Sequence, residues 1–200
     1  MILAAIDPSM SNTAIVTSFP DDGPEGFRIR CFSSPPEGRT LRERIGRYEK
    51  FVNQIVSYLE DCAVTNVFIE GYSYNSTGSV IYLGELGGIL RWHLIDFPEA
   101  VEVAPKSIKQ FATGKGNAKK EIVAADIARR YDVRLARADE YDAMALWRFG
   151  RVYLGIDAPQ TKEQAAAVEA VKNPIPKSKK PRKPRMGKSV IPNYPDDLPY

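Results

Sequence analysis

Two carboxylates end short apolar runs of strand length. Ile2 to Ile6 is almost wholly apolar and stops on Asp7, and Val67, Phe68 and Ile69 lead into Glu70 and Gly71. A carboxylate at the end of a buried strand is costly to desolvate unless something positive answers it. Two further acids open the last helical stretch, Ala138-Asp139-Glu140-Tyr141-Asp142-Ala143, where the i, i+3 spacing puts Asp139 and Asp142 on one helix face. Each acid has an ordinary explanation by itself: Asp7 as a turn cap, Asp139 as an N-cap, Asp142 as a partner of the helix dipole. Those roles explain one acid each and leave the recurrence unexplained. Brought together, four acids repel strongly unless cations neutralise them. An oxygen-only donor set without His or Cys suits hard ions such as Mg²⁺ or Mn²⁺. Two such ions about 3.5–4 Å apart are the usual device for in-line phosphodiester hydrolysis.

The basic counterpart is the stretch Pro105 to Val123. Gly114 and Gly116 let the backbone approach a phosphate, and the helix that follows offers free N–H groups at its start. Lys106, Lys109, Lys115, Lys119 and Lys120 surround that loop. A glycine loop with solvated lysines is weak evidence alone. Lysines beside an acid quartet are stronger evidence, because a nuclease must hold the scissile phosphate as well as its metals.

The elements that must position these groups follow from periodicity. Pro8 to Asn12 is a turn, after which Thr13 to Thr17 resumes a β-rich run, and Phe27 to Phe32 alternates as a third strand. Thr40 opens a long helix whose Leu41, Ile45, Tyr48, Val52, Ile55, Val56 and Leu59 fall at helical spacing. The Val67–Ile69 strand comes next, then a helix over 77–95 rich in Leu and Ile but carrying Gly84, Gly87 and Gly88, then a short strand at Val101–Val103. Helices follow from Pro105 to Phe111, from Ala118 to Tyr131 and from about Asp139 to Leu154. Three hairpin-linked strands followed by alternating helices and strands predict an α/β fold: a mixed five-stranded sheet, three antiparallel strands then parallel ones, with helices on both faces. The long crossover from the first strand to Val67–Ile69 argues for a central first strand with that strand parallel beside it. Asp7 and Glu70 then sit at the same end of adjacent strands, where open α/β sheets place their ligands.

With 44% hydrophobic and 26% charged residues, the composition is that of a soluble globular domain. No charged and apolar leader precedes the first strand, and no uninterrupted apolar run approaches about 18 residues, so neither a secretory signal nor a membrane span is expected. Cys31 and Cys62 fit neither a disulfide framework nor a metal spacing and read as reduced core thiols of a cytoplasmic protein. His93, the only histidine, lies in an apolar helix beside Trp92, which argues against a Ser/His/Asp apparatus. The net charge of +3 hides an asymmetry: 172–200 holds eight Lys/Arg against two acids, leaving 20 basic and 23 acidic residues in 1–171. The expected organisation is a nuclease-type domain over 1–155, a short helix within 156–171 and a basic, Pro-rich, disordered tail over 172–200 that lies on phosphates.

Asp7, Glu70, the TG-K-G-NAKK stretch from Thr113 to Lys120 and Asp139-x-x-Asp142-Ala-x-Ala together resemble the RuvC-type Holliday-junction resolvases, of the ribonuclease H-like fold, over about 1–155. The resemblance implies that Asp7, Glu70, Asp139 and Asp142 bind two Mg²⁺ ions per site, with Mn²⁺ as a substitute, and that Lys109 and Lys120 lie close to the scissile phosphate. It implies a recombination and repair endonuclease that cuts four-way junctions, and related branched DNA, by paired symmetric nicks leaving 5′-phosphate and 3′-hydroxyl ends. It also implies a homodimer built on helix 77–95, which would give the glycines there a purpose. Cellular members carry a Phe shortly after the second acid; here the segment is Gly71-Tyr72-Ser73-Tyr74-Asn75, so Tyr72 or Tyr74 takes the place of a base-stacking ring. That departure and the basic tail fit a divergent enzyme of a bacterial cell or a phage-infected host.

Three other readings compete. Asp7-Pro8-Ser9-Met10-Ser11-Asn12 resembles the first phosphate turn of actin- and sugar-kinase-like phosphotransferases, which also need a second lobe and a second phosphate loop. A non-catalytic junction-binding protein would gain nothing from buried acid repulsion. Cleavage of RNA–DNA hybrids would not call for the lysine loop or the dimer-type helix.

Overall fold

A computed structural model describes residues 1–10, 12–19, 23, 25–34, 40–72 and 80–174. Tyr74, the start of the expected 77–95 helix and the tail from 175 onward lie outside the described residues. The strands are β1 (Leu3–Asp7), β2 (Asn12–Ser18), β3 (Phe27–Ser33), β4 (Asn66–Glu70) and β5 (Glu99–Val103). They form one sheet in the order β3-β2-β1-β4-β5. β1–β2 and β2–β3 are antiparallel, and β1–β4 and β4–β5 are parallel, as the sequence predicts. β1 is central and wholly buried, which is why it reads as a continuous apolar run rather than an alternation.

The helices are α1 (Leu41–Asp61), α2 (Val80–Leu94), α3 (Pro105–Thr113), α4 (Lys120–Tyr131), α5 (Ala138–Tyr153) and α6 (Lys162–Lys172). The period of two along the strands sorts them onto two faces. Ala4, Ile6, Val67 and Ile69 pack with Tyr48, Phe51, Val52, Ile55 and Leu59 of α1 and with Leu86, Leu90 and Leu94 of α2. Leu3, Ala5 and Phe68 face the other way, onto α3, α4, α5 and α6. Local chemistry sets several boundaries. Thr40 and Glu43 close a reciprocal capping box at the start of α1, at 3.3 and 2.9 Å. Gly116 and Asn117 form a turn closed by Ala118 N–H donating to Lys115 O at 3.2 Å, so α4 begins two residues later than its periodicity suggests. Thr161 accepts from Gln164 N–H and starts α6 there rather than near Ala158.

α5 is the helix on which the site depends. It is buried almost all round, with Leu146, Trp147 and Phe149 fully enclosed, each worth about 1.5–3 kcal/mol of apolar burial. The Trp147 indole N–H, which burial would otherwise strand, donates to Ser18 Oγ at 3.1 Å. Gly150 makes the close seating possible: a Cβ there would stand 3.0 Å from Phe68 and 3.1 Å from Leu3. Since Leu3 begins β1 and Gly150 lies late in α5, the helix runs antiparallel to the strand and delivers its N-terminus to Asp7. Glu140 fixes that entry by accepting from Ala136 N–H at 2.8 Å and from Cys31 Sγ at 3.6 Å. Cys31 and Cys62 are free thiols, half-buried at the margins of the two core faces, and Cys31 also meets Glu140 at the start of α5. Burial raises the Cys31 thiol pKa, and the neighbouring Glu140 raises it further.

Candidate active site

Asp7 follows Ile6, which pairs with Ile69 in the parallel β1–β4 ladder, so Asp7 and Glu70 end adjacent strands side by side. The β1–β2 turn that follows Asp7 is pinned by Thr13, which is buried; its Oγ1 accepts from Ser9 N–H at 3.1 Å and donates to Ser9 O at 3.3 Å. The N-terminus of α5 brings Asp139 and Asp142 to the same place. Asp7, Asp139 and Asp142 each contribute a carboxylate oxygen to a group in which all lie within 4.8 Å of one another. Glu70 flanks that group, its carboxyl hydrogen-bonded to Asp7.

The electrostatics are those of crowded, desolvated acids. Asp7 is only 7% exposed, and its carboxyl pKa is driven well above the ordinary range by burial, then by the hydrogen bond and charge of Glu70 and by the charge of Asp142. Burial also raises Glu70 and Asp142, the latter against the opposing pull of Lys120. Lys120 Nζ lies 3.0 Å from Asp142 Oδ2 and 3.4 Å from Asp139 Oδ1. Those carboxylates outweigh its partial burial and raise its own pKa, so it remains an ammonium at any ordinary pH. The donor set is entirely oxygen, it is short of positive charge, and three of its members converge on one point. It fits a hard divalent cation.

A cavity of about 270 Å³ opens over these acids, lined by Asp7, Glu70, Asp142, Lys109, Lys120 and Tyr72 among others. Of the basic residues singled out in the sequence, Lys109 and Lys120 reach this cavity. Lys106, on α3, and Lys115 and Lys119, between α3 and α4, are exposed and do not line it. Gly114 takes a left-handed conformation (φ 77°) as the C-cap of α3, and its N–H donates to Gln110 O at 2.8 Å. Gly116 packs against Lys106, where a Cβ would stand 2.6 Å from Lys106 Cγ. Both glycines thus have a structural role in shaping the loop that carries the lysines. Tyr72 is held against α2, its hydroxyl donating to Gly84 O at 3.3 Å.

Arg91, to which the sequence alone assigns no role, also lines the cavity. Its guanidinium lies 4.1 Å from the centre of the Tyr72 ring and donates to Glu102 Oε2 at 2.6 Å and to Glu70 O at 3.0 Å. The one guanidinium within the Ile-, Leu- and Trp-rich run Ile89–Leu94 is the signal that could have found it.

No family model matches the chain, and no curated protein matches it by sequence. Solved structures do. The chain superposes on Thermus thermophilus RuvC with a TM-score of 0.58 at 16% identity, covering 79% of this chain and 98% of that one. It superposes on T. thermophilus RuvC in complex with a Holliday junction substrate with a TM-score of 0.55 at 16% identity, covering 74% and 90%. The yeast mitochondrial Holliday junction resolvase gives 0.51 at 10% identity, covering 85% and 83%. The chain has the fold of the RuvC-type resolvases. Within that fold, the acids and the two cavity lysines meet at the carboxyl ends of β1 and β4, as the topology requires. Among the described residues, no helix is long and apolar enough to cross a membrane.

Proposed function

We propose that the protein is a metal-dependent endonuclease that resolves four-way DNA junctions by paired symmetric nicks from a homodimer, acting in the cytoplasm. The observation that carries this reading is the convergence of Asp7, Asp139 and Asp142 within 4.8 Å, with Glu70 alongside and Lys109 and Lys120 on the wall of the same cavity. Asp7, Glu70, Asp139 and Asp142 would hold the metal ions, Mg²⁺ or Mn²⁺. Bound there, such ions supply polarisation of the attacking water and neutralise charge on the leaving 3′ oxygen.

The chain's own residues do the rest. Lys109 and Lys120 attract the scissile phosphate into the cavity and hold it against the acids. Lys120, which pairs with Asp139 and Asp142 in the free chain, would turn to phosphate oxygens where those acids hold a metal ion. Lys106, Lys115 and Lys119, outside the cavity, engage phosphates further along the same strand. Tyr72 and Tyr74 are the first aromatic groups after the strand-four acid in sequence and are assigned to unpaired bases at the branch point.

The dimer is assigned to α2 and the residue that follows it, where Ile81, Trp92 and Ile95 are 75, 72 and 67% exposed. Gly84 and Gly88 have nothing within 4 Å of a built Cβ, which leaves room for a second backbone to approach. A kinase-like clamp finds no support, since the described residues form a single sheet.

The deciding experiment is cleavage of a labelled synthetic four-way junction, with duplex, flap and RNA–DNA hybrid controls, in Mg²⁺ or EDTA. Paired nicks that need metal and vanish in Asp142→Asn support the resolvase. A junction that is bound but uncut in both Mg²⁺ and Mn²⁺ would transfer the assignment to a binding protein.

A further inference from the structure

We propose that Arg91 is a positioning residue for Glu70, holding the peptide that carries this acid so that its carboxylate faces Asp7. The inference rests on the reading above, in which Glu70 helps to hold the metal.

The peptide plane between Glu70 and Gly71 is held from both of its edges. Gly71 N–H donates to Val103 O on β5 at 2.8 Å. In a trans peptide the carbonyl points the opposite way, so Glu70 C=O is directed toward β1. There β1 has ended at Asp7, and the next residue, Pro8, has no N–H to give. The ladder thus offers this carbonyl no donor from the Pro8 position. Arg91 supplies one from α2, with Nη2 3.0 Å from Glu70 O.

Arg91 is itself fixed on every side. Nε donates to Glu102 Oε2 at 2.6 Å, and Nη1 donates to Gly87 O at 3.2 Å. The guanidinium lies over the Tyr72 ring, whose hydroxyl is tied to Gly84 O. Gly87 has no space for a side chain: a Cβ would stand 2.6 Å from Tyr72 Oη and 2.8 Å from Arg91 Nη1. Glu102 sits directly against Gly71, with Oε1 3.0 Å from a Cβ built there. A planar fork with three donors in fixed directions joins α2, β5 and the end of β4. An ammonium has neither the reach of three separate nitrogens nor the plane to stack. With the fork removed, the Glu70 peptide is held from the β5 side alone and can rotate, carrying the carboxylate away from Asp7.

The test uses the full chain as wild type, Arg91→Met, Arg91→Lys and Glu102→Gln, each checked for helix content by circular dichroism. Mn²⁺ binding is read by calorimetry without DNA, junction binding by fluorescence anisotropy in EDTA, and cleavage across a Mg²⁺ titration. Both Arg91 variants are expected to bind Mn²⁺ about 10–100-fold more weakly without DNA and to need correspondingly more Mg²⁺ for half-maximal cleavage of saturating junction. Glu102→Gln retains an acceptor for Nε and should weaken Mn²⁺ binding less than either. Arg91→Lys keeps the long stem and the charge, so it serves should Arg91→Met fold poorly. Wild-type Mn²⁺ affinity in Arg91→Met, or its full restoration by Lys, would overturn the proposal while leaving the nuclease reading intact. A wild-type protein that neither binds Mn²⁺ nor cuts would remove both.

Discussion

Lys120 Nζ stands 3.0 Å from Asp142 Oδ2, on the same side chain that a metal ion would claim. In the proposed mechanism, lysine and metal would compete for one carboxylate in the free protein and act together once a phosphate arrives. Lys120→Met should separate the two roles. Mn²⁺ binding without DNA, measured by calorimetry, should be at least as tight as in wild type, because a competing cation has gone. Cleavage of a four-way junction should fall by about 10²–10³-fold, the usual cost of losing one group that stabilises developing charge. Equal losses in both measurements would place Lys120 among the groups that merely maintain the fold.

The buried acids give a pH prediction with a definite sign. Asp7, Glu70 and Asp142 all have raised pKa values in the folded chain. Folding therefore takes up protons, so metal-free stability is complete below the ordinary carboxylate range and declines as pH rises through the raised values. Asp7→Asn removes the most buried contributor. In EDTA this variant should melt above wild type at neutral pH, by about 2–4 °C for each kcal/mol relieved, and the gain should shrink as the pH is lowered toward the carboxylate range. Differential scanning calorimetry at several pH values reads it. A variant less stable than wild type at neutral pH would contradict the repulsion argument.

Divalent metal should reverse that order. Mg²⁺ or Mn²⁺ at 100 times its dissociation constant stabilises the folded state by about 2.7 kcal/mol, a rise in Tm of about 5–10 °C for a chain of this size. Because the ligands must lose their protons, the rise should diminish as pH falls. Asp7→Asn and Asp142→Asn should both lose most of it. A metal-induced rise that survives in both variants would mean that the cation binds elsewhere.

Much of this site is legible in the sequence, for physical reasons that differ by residue. Asp7 and Glu70 stand out because a buried strand is an uninterrupted apolar run, and an acid at its end is an anomaly. Asp139 and Asp142 stand out because helical spacing makes neighbours of residues three apart. Their meeting with Asp7 depends on the crossover that sets β4 parallel to β1, which the order of elements implies. Arg91 is not legible, because its partners are a backbone carbonyl at Glu70 and a carboxylate at Glu102, both brought to it by tertiary packing. Gly87 misleads for the same reason. In sequence it joins Gly84 and Gly88 as a candidate for contact with a second copy, but Tyr72 and Arg91 of the same chain fill the space beside it. The contact between Cys31 and Glu140 is likewise made by tertiary packing and has no local pattern to reveal it.

Gly84 and Gly88, unlike Gly87, have open space beside them, as the proposed dimer requires. Ile81, Trp92 and Ile95 are about two-thirds exposed or more, and Tyr82 is 45% exposed, on or beside a helix whose other side is anchored by Leu86, Leu90 and Leu94. In the proposed dimer, this apolar surface around one short helix would be the face that a second copy covers. In a two-fold dimer each substitution acts twice, so Trp92→Glu should cost at least about 4 kcal/mol of association, roughly 10³-fold. Sedimentation should show wild-type dimer and variant monomer at micromolar concentration, with unchanged circular dichroism, since Trp92 makes no contribution to the core. On a four-way junction the variant should give unpaired nicks where wild type cuts two strands together. A wild-type chain that sediments as a monomer would remove the dimer, and with it the explanation of symmetric cutting.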